Sequence, residues 1–275
     1  MKIQYFGTAA AEGVPALFCD CSVCQEAKKR GGKDIRSRSQ SLIDDQILLD
    51  FPADTFMHYL TYGFDLPKIQ HVLITHTHSD HLYAEELVMR LSGYVAKVEN
   101  PLHVYGNTAV LQQLKRVFDM EGYWEESRIV FHPVKPFVAF FIMDYQITPL
   151  LADHDPREEC LFYDIASKNK RLLYAHDTGY FPEENWQYFS DERPHYDLVS
   201  IDCNAQNHDS TKNHMGFSAN LLVKERLMHL QAVNEKTLFV CNHFSHNSGL
   251  LHDEMVELVS KKGFEVAYDG MIKEF

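Results

Sequence analysis

The stretch Ile74-Thr75-His76-Thr77-His78-Ser79-Asp80-His81 decides the fold that this sequence predicts. It continues the apolar run at residues 71–74, which is typical of a buried strand, and leads into a helical pattern at residues 84–91. His76 and His78 are two residues apart, so both imidazoles point to the same side of extended backbone. Four metal-binding side chains within six residues favour a site for two neighbouring metal ions over a solvated histidine-rich loop.

The composition is that of a globular protein with a hydrophobic core. Of the 275 residues, 45% are hydrophobic and 24% are charged, and this length suits one large domain or two small ones. The formal net charge of −13 argues against nucleic acid as the main partner, although bound metals would add positive charge locally. No apolar run approaches the ~20 residues that a membrane span needs, so no membrane partner is expected.

The cysteines and the N-terminus predict the cellular compartment. Cys19, Cys21 and Cys24 are clustered, whereas the other three cysteines lie singly in apolar surroundings. This pattern suits metal binding and buried thiols better than a disulfide framework. Residues 1–7 become strand-like too quickly for a signal peptide. We therefore expect a cytoplasmic protein.

The order of strand and helix patterns predicts the architecture. Strand-like runs come in two batches, each followed by helical patterns, without repeats or linkers. A sandwich of two sheets with helices on both outer faces explains this order, so we predict a single α/β (α+β) domain over residues 1–275 with four αββα layers. The longest helical pattern runs from Gly216 to about residue 232, and a strand at residues 264–268 is expected to close the chain.

Three further polar residues, His154, Asp177 and His243, each follow the end of an apolar strand. Side chains at strand ends on one edge of a layered fold can converge into a cleft. A lone histidine is more simply explained as structural, but two metals need about four ligands each, and residues 76–81 supply four in all. These residues therefore complete the predicted site, with Asp177 able to bridge two cations. The histidines predicted to be structural or surface residues are His71, His103, His132 and His195.

The cysteine cluster is a second candidate metal site. Cys19, Cys21 and Cys24 can occupy three corners of a tetrahedral zinc site, and the fourth ligand must come from elsewhere in the chain. His246 is the best candidate, because it lies three residues after His243 on the same segment. The alternative is a reactive dithiol or scattered buried thiols.

Together these motifs resemble the PhnP phosphodiesterases of the metallo-β-lactamase superfamily. The motifs that carry the resemblance run from residue 3 to residue 271 and include Gly7-Thr8-Ala9, Gly13-Val14-Pro15, Cys19-x-Cys21-x-x-Cys24, His76-x-His78-x-Asp80-His81, His243-x-x-His246, Gly263-Phe264-Glu265-Val266 and Asp269-Gly270-Met271. The resemblance implies an αββα metallo-β-lactamase sandwich with a two-metal site, usually of manganese or zinc, and a separate structural zinc.

The resemblance also implies a role for each motif residue. The catalytic metal ligands would be His76, His78, Asp80, His81, His154, Asp177 and His243. The structural zinc would be held by Cys19, Cys21, Cys24 and His246. Asn213-His214 resembles the Asn-His pair of the family, in which the histidine contacts the phosphate and can protonate the leaving group.

The predicted function is metal-dependent hydrolysis of a small-molecule phosphodiester, cyclic or linear, such as a ribose cyclic phosphate. A water or hydroxide that bridges the two metals would be the nucleophile, since metal binding lowers its pKa. Asp80 would coordinate one metal and help to orient that water, and His214 would be the general acid.

Other functions share this scaffold and stay open. The motif at residues 76–81 also occurs in lactonases, thioesterases and tRNA 3′-processing nucleases of the superfamily, and PqqB-like proteins of cofactor biosynthesis have a similar cysteine cluster. The chain departs from the family at Asp50-Phe51-Pro52, where many members have Asp-x-Gly, and at residues 120–141, which resemble an insertion or a reshaped loop. The aromatic residues of that segment could cap the site or pack against a second subunit in a homodimer.

Overall fold

The computed structural model of the protein describes residues 1–121 and 123–275, and these form two seven-stranded sheets. The first sheet contains, in spatial order, β14 (Ile272–Glu274), β1 (Lys2–Gly7), β2 (Gln40–Ile43), β3 (Ile47–Leu49), β4 (His71–Leu73), β5 (Leu102–Gly106) and β6 (Ile129–Pro133). The second contains β13 (Phe264–Val266), β12 (Leu238–Asn242), β11 (Leu198–Asp202), β10 (Arg171–Ala175), β9 (Leu161–Ala166), β8 (Tyr145–Leu151) and β7 (Phe140–Ile142). The helices are α1 (Ser22–Arg30), α2 (Thr55–Tyr62), α3 (Ala84–Leu87), α4 (Thr108–Glu121), α5 (Glu183–Glu192), α6 (Phe217–His229) and α7 (His252–Val259). Within the described ranges, no helix has the length and apolar character needed to cross a bilayer.

Three hydrophobic cores separate four layers, and the predicted αββα sandwich is thereby confirmed. The core between the two sheets includes Leu73 and Tyr163. A second core, which includes Leu114, lies between the first sheet and helices α2 to α4. The third core, which includes Trp186 and Leu227, lies between the second sheet and helices α5 to α7. Each sheet is therefore buried on both faces over much of its area.

Parallel strands bring the candidate site residues to one edge of the sandwich. Strands β3 to β6 run parallel to one another in the first sheet, and β10 to β13 do so in the second. The inner parallel strands, β3 to β5 and β10 to β12, consist mostly of buried residues, which explains their nearly continuous apolar sequences. His76 follows β4, Asp177 follows β10 and His243 follows β12. The carboxyl ends of parallel strands are the usual ligand-binding edge of such sheets.

Several elements differ from those that the sequence predicted. The chain is closed by β14, which pairs antiparallel with β1, whereas β13 was predicted to be the last strand. The longest helix is α4, with 14 residues, because α6 ends at His229 before Gln231 takes a left-handed φ of 58°. Helices α1 and α5 were not predicted at all, because only two and three of their residues, respectively, are buried.

Residues 120–141 form part of the sandwich. Strand β6 completes the first sheet, and the chain then crosses to β7 at the edge of the second sheet. Phe140 stacks on Tyr105 of the neighbouring sheet, with 5.2 Å between the ring centroids. Gly122 lies outside the described residues. The rest of this segment contains the end of α4, strand β6 and the start of β7, so it is not one continuous loop. That it is an insertion relative to the family stays a prediction.

We expect the Leu114→Ala substitution to lower the free energy of unfolding by about 2–5 kcal/mol, because it leaves a cavity in the core beneath α4. Leu114 is fully buried, whereas Leu222 in α6 is 51% exposed, so Leu222→Ala is a matched control that should change stability by less than about 0.5 kcal/mol. Urea unfolding of the two variants measures both values. Equal losses would contradict the assignment of Leu114 to the core.

Candidate metal centre

The strand ends bring the seven predicted catalytic ligands into two overlapping clusters. In the first cluster, ligand atoms within 4.8 Å of one another belong to His76, His78, His154 and Asp177. In the second, they belong to Asp80, His81, Asp177 and His243. Asp177 is common to both clusters, at the position where the sequence analysis expected a bridging carboxylate.

Hydrogen bonds indicate which nitrogen of His78 and His154 carries a proton. The Nε2–H of His78 donates to the Asp155 carboxylate at 2.9 Å, and the Nδ1–H of His154 donates to the backbone oxygen of Asn213 at 3.1 Å. A lone pair then remains on Nδ1 of His78 and on Nε2 of His154, and these two atoms are 3.1 Å apart. Two facing lone pairs repel each other unless a proton or a metal cation is shared between them.

Asp50, which follows β3, orients His81. Its carboxylate accepts hydrogen bonds from Nδ1–H of His81 at 2.7 Å, and from the N–H and hydroxyl of Thr75 at 2.9 and 3.0 Å. His81 therefore presents Nε2 to the carboxylates of Asp80 and Asp177, which are 3.3 and 3.0 Å away. Asp50 was predicted only to be part of a departure from the family motif. Its position directly after an apolar strand is the signal that could have identified it.

Buried polar atoms without partners indicate that these residues fit a metal ion. Because Thr75 donates to Asp50, its oxygen accepts from Nδ1–H of His76 at 3.0 Å, which leaves Nε2 of His76 facing Asp177 at 3.2 Å. Eight buried side-chain atoms in residues 1–121 and 123–275 lack a hydrogen-bond partner, and four of them are His76 Nε2, His81 Nε2, Asp177 Oδ1 and His243 Nδ1. Burying such atoms unpaired is costly, and imidazole and carboxylate lone pairs are ordinary ligands of divalent transition metals. The donor set therefore fits divalent metal binding.

The charges in the cluster favour a cation as well. Burial lowers the pKa of His81, but the carboxylates of Asp80 and Asp50 outweigh burial and raise this pKa well above its ordinary value. Burial would raise the pKa of Asp177, but His243 and the neighbouring imidazoles hold it well below its usual range. The site therefore stabilises positive charge among ionised carboxylates even though it is buried, which is the electrostatic condition for binding a metal cation.

Three residues at the site have left-handed backbone. Asp50, Asp177 and His243 have φ values of 64°, 55° and 64°. Aspartate and histidine adopt this conformation more readily than most other non-glycine residues. Each residue lies within two positions of a strand end, so the left-handed turn ends the strand at the edge of the cleft.

His214 lies beside the second cluster. Its Nδ1 is 3.1 Å from Oδ2 of Asp202 and 3.1 Å from Oδ1 of Asp177. Burial lowers the pKa of His214, but the carboxylates of Asp202, Asp177 and Asp80 outweigh it and raise this pKa to about 9. The sequence analysis did not select Asp202, although this residue ends the apolar strand β11 and so shares the signal of the other site residues.

A glycine allows the loop that carries His214 to approach the site. A Cβ atom at Gly179 would lie 2.5 Å from Oδ2 of Asp153 and 2.7 Å from the backbone oxygen of Thr211. Only glycine leaves room for this contact. The segment that contains Asn213 and His214 therefore packs directly against the turn after Asp177.

The second predicted site also assembles, near the same segment as His243. Its ligand atoms, all within 4.8 Å of one another, belong to Cys19, Cys21, Cys24 and His246. Nδ1 of His246 lies 3.5 Å from Sγ of Cys21 and 3.7 Å from Sγ of Cys19. The backbone N–H of Cys24 and the His246 ring lower the pKa of the Cys21 thiol to about 6, which favours the thiolate that zinc binds. All six cysteines are free thiols in the structure.

The metal cluster and His214 open into a cleft of about 310 Å³. The metal-side lining residues are His78, Asp80, His154, Asp177, His214 and His243. The residues of the opposite wall are Ala10, Ala11, Glu12, Asn204, Ser245 and Asn247. Among the residues that the structure describes, no lysine or arginine lines this cleft, and neither does any residue of the segment at 120–141. The described part of that segment therefore does not cap the cleft.

We expect Asp50→Asn to weaken metal binding by about 10–100-fold, the usual effect of removing a carboxylate that orients a histidine ligand. The substitution keeps the size of the side chain but removes the negative charge beside His81. Asp144→Asn, at a side chain that is 81% exposed, is the control. Competition with a chromophoric zinc chelator measures the affinity. An unchanged affinity in folded Asp50→Asn would show that Asp50 has no part in the metal centre.

The chain matches the sequence model of a family described as "Beta-lactamase superfamily domain" over residues 47–244. Among curated proteins, it is 28% identical to Ribonuclease Z of Treponema pallidum (strain Nichols) over 106 residues, which are 38% of this chain and 33% of that protein. It is 22% identical to Ribonuclease Z of Listeria monocytogenes serotype 4a (strain HCC23) over 173 residues, which are 62% of this chain and 50% of that protein. The chain thus spans a third to a half of the length of these relatives.

Solved structures show the same fold at low sequence identity. A diphosphatase from the PhnP family has a TM-score of 0.74 and 21% identity, over 100% of this chain and 97% of that one. Zn²⁺-bound PqqB from Methylobacterium extorquens has a TM-score of 0.75 and 18% identity over 100% of both chains. Human tRNase Z, short form, has a TM-score of 0.67 and 14% identity, over 100% of this chain and 99% of that one. Because the family match covers well over half of the sequence, the chain belongs to the metallo-β-lactamase superfamily, as its motifs predicted.

Proposed function

We propose that the protein is a binuclear metal-dependent hydrolase that cleaves a small phosphodiester. The observation that carries this proposal is the pair of clusters that share Asp177, with His214 only 3.1 Å from the same carboxylate. Two adjacent cations can clamp a phosphate between them, and a nearby histidine can serve the leaving group.

Each cluster would hold one divalent cation, manganese or zinc. Residues proposed for the first are His76, His78, His154 and Asp177, and those for the second are Asp80, His81, Asp177 and His243. When bound, such cations neutralise phosphate oxygens and lower the pKa of a coordinated water. A structural zinc would be held by Cys19, Cys21, Cys24 and His246. That zinc would fix the segment that also supplies His243.

In this proposal His214 is the general acid. Asp202 engages its Nδ1, which leaves Nε2 available to the cleft that the ring lines. A pKa of about 9 keeps the ring protonated at neutral pH. The Nε2 proton would pass to the leaving-group oxygen as the P–O bond breaks. Asp80, at the same cleft, would hold its cation and orient the attacking water.

The character of the cleft supports a small substrate over a polynucleotide. Nucleic-acid binding depends mainly on lysine and arginine contacts to phosphates. Neither residue lines the described part of the cleft, and the chain carries a formal net charge of −13. The matches to Ribonuclease Z keep a tRNA 3′-processing nuclease as the second candidate. Cleavage of a precursor tRNA at a rate above that of small diesters would favour the nuclease.

We expect metal-stripped protein to hydrolyse bis(p-nitrophenyl) phosphate only after manganese or zinc is restored. Asp80→Ala should lower kcat/KM by at least about 100-fold, because removing a direct ligand should cost no less than removing a residue that orients one. Asp144→Ala, at an exposed carboxylate, is the control. Metal analysis should find three ions per wild-type chain. Inactivity with both catalytic positions filled would instead favour a lactonase, a thioesterase or a PqqB-like role.

We expect His214→Ala to slow cleavage of a diester with an alkyl leaving group by about 100–10,000-fold, because an alkoxide needs a proton as it departs. The p-nitrophenolate leaving group needs little protonation, so the rate of bis(p-nitrophenyl) phosphate cleavage should fall far less. Since the histidine must be protonated, wild-type activity on the alkyl diester should fall as the pH rises above the pKa of His214, which the Asp202 carboxylate raises above its ordinary value. Equal losses on both substrates would contradict the role of His214 as an acid.

A further inference from the structure

The wall opposite the candidate metal centre contains an acidic residue that the proposed mechanism does not use. Glu12 lies in the loop between β1 and α1 and lines the cleft together with Asn204, Ser245 and Asn247. The loop is held against the segment after β12, because Ala10 N–H donates to the backbone oxygen of Phe244 at 3.0 Å. The backbone of Glu12 is therefore anchored close to the residues that follow His243.

The carboxylate of Glu12 is fixed by its neighbours. Oε1 accepts hydrogen bonds from the hydroxyl of Ser245 and from Nδ2 of Asn247. The backbone N–H of Asn247 in turn donates to Oγ of Ser245 at 3.1 Å, which holds the donor in place. Oε2 accepts no hydrogen bond from the described part of the chain, and the Glu12 side chain is 29% exposed. One oxygen of a positioned carboxylate is thus available to a molecule in the cleft.

Among the described residues, no cationic side chain lies within hydrogen-bonding distance of the Glu12 carboxylate. The nearest cationic candidate is His246, whose Nε2 is 3.9 Å from Oε1, beyond hydrogen-bonding distance, and whose Nδ1 faces the cysteines. No lysine or arginine is found among the described lining residues. A fixed anion in such a place attracts hydrogen-bond donors and repels other anions.

We propose that Glu12 is a specificity-determining residue, which accepts a hydrogen bond from a substrate hydroxyl beside the scissile phosphodiester and rejects a second phosphate there. This inference rests on the proposed function and narrows its substrate class. The substrate is a phosphodiester whose retained group is an uncharged polyol or sugar. Ser245 and Asn247 already order the carboxylate in the free protein, so little conformational entropy is lost when it accepts a hydrogen bond from the substrate.

Three p-nitrophenyl phosphodiesters that share a leaving group test this proposal: the glyceryl ester, the propyl ester, and the glyceryl ester with a second phosphate. For manganese-loaded wild type, kcat/KM should favour the glyceryl over the propyl ester by roughly 10–100-fold, as expected for a hydrogen bond to a charged group. In Glu12→Gln this ratio of kcat/KM values should fall to within about threefold. The kcat/KM for the doubly phosphorylated ester should rise relative to that for the glyceryl ester. The amide oxygen of glutamine can still accept from Ser245 and Asn247, so the loop is retained.

The control is Glu159→Gln, an exposed acidic residue in the neighbouring cavity, which should leave both ratios as in the wild type. Metal content and urea unfolding of each variant exclude loss of the fold. A Glu12→Gln variant that keeps the wild-type preference would overturn the proposal and leave Glu12 as a residue that only anchors the loop. Hydrolysis of none of the esters by fully loaded wild type would overturn the proposed function itself, and this inference with it.

Discussion

The candidate site depends on one buried carboxylate. Oδ2 of Asp177 lies 3.2, 3.0 and 3.3 Å from Nε2 of His76, His81 and His154, respectively. Its Oδ1 lies within 3.3 Å of the imidazoles of His214 and His243. Burying a carboxylate costs several kcal/mol unless nearby positive charge compensates for it. The surrounding imidazoles, which follow strands of both sheets, supply this charge, and the cations proposed for the site would add to it.

Much of the fold and of the candidate site was accessible from the sequence, because the information is local. The motif at residues 76–81 places four potential metal ligands within six residues. The other three members of the clusters were identified as polar residues that follow apolar strands. Asp50, Asp202 and Glu12 were not identified. Their roles depend on partners far away in sequence, such as His81 for Asp50 and Ser245 for Glu12. Strand β14 was not predicted because it has only three residues, one of them apolar, which is too few to show the alternation of apolar and polar residues typical of a strand.

The scaffold by itself does not decide what is cleaved. Similar TM-scores relate the chain both to a PhnP-family diphosphatase and to Zn²⁺-bound PqqB. Folds of this kind carry many activities, and specificity is set by the residues of the site. In this chain the metal side of the cleft is built from residues that the superfamily motif predicts. The opposite wall contains an anion and no cationic side chain in its described part. On the proposed role of Glu12, this wall would distinguish substrates.

The two sheets contribute different parts of the metal centre: His76 and His81 follow a strand of the first sheet, and His154, Asp177 and His243 follow strands of the second. On the proposed ligand assignment, a bound cation would therefore cross-link the two sheets through its ligands. Ligands that bind only the folded state raise its free energy of unfolding by mass action. In a cell starved of transition metals, the chain would open more often and be degraded sooner. Its abundance, and not only its turnover, would then follow the metal supply.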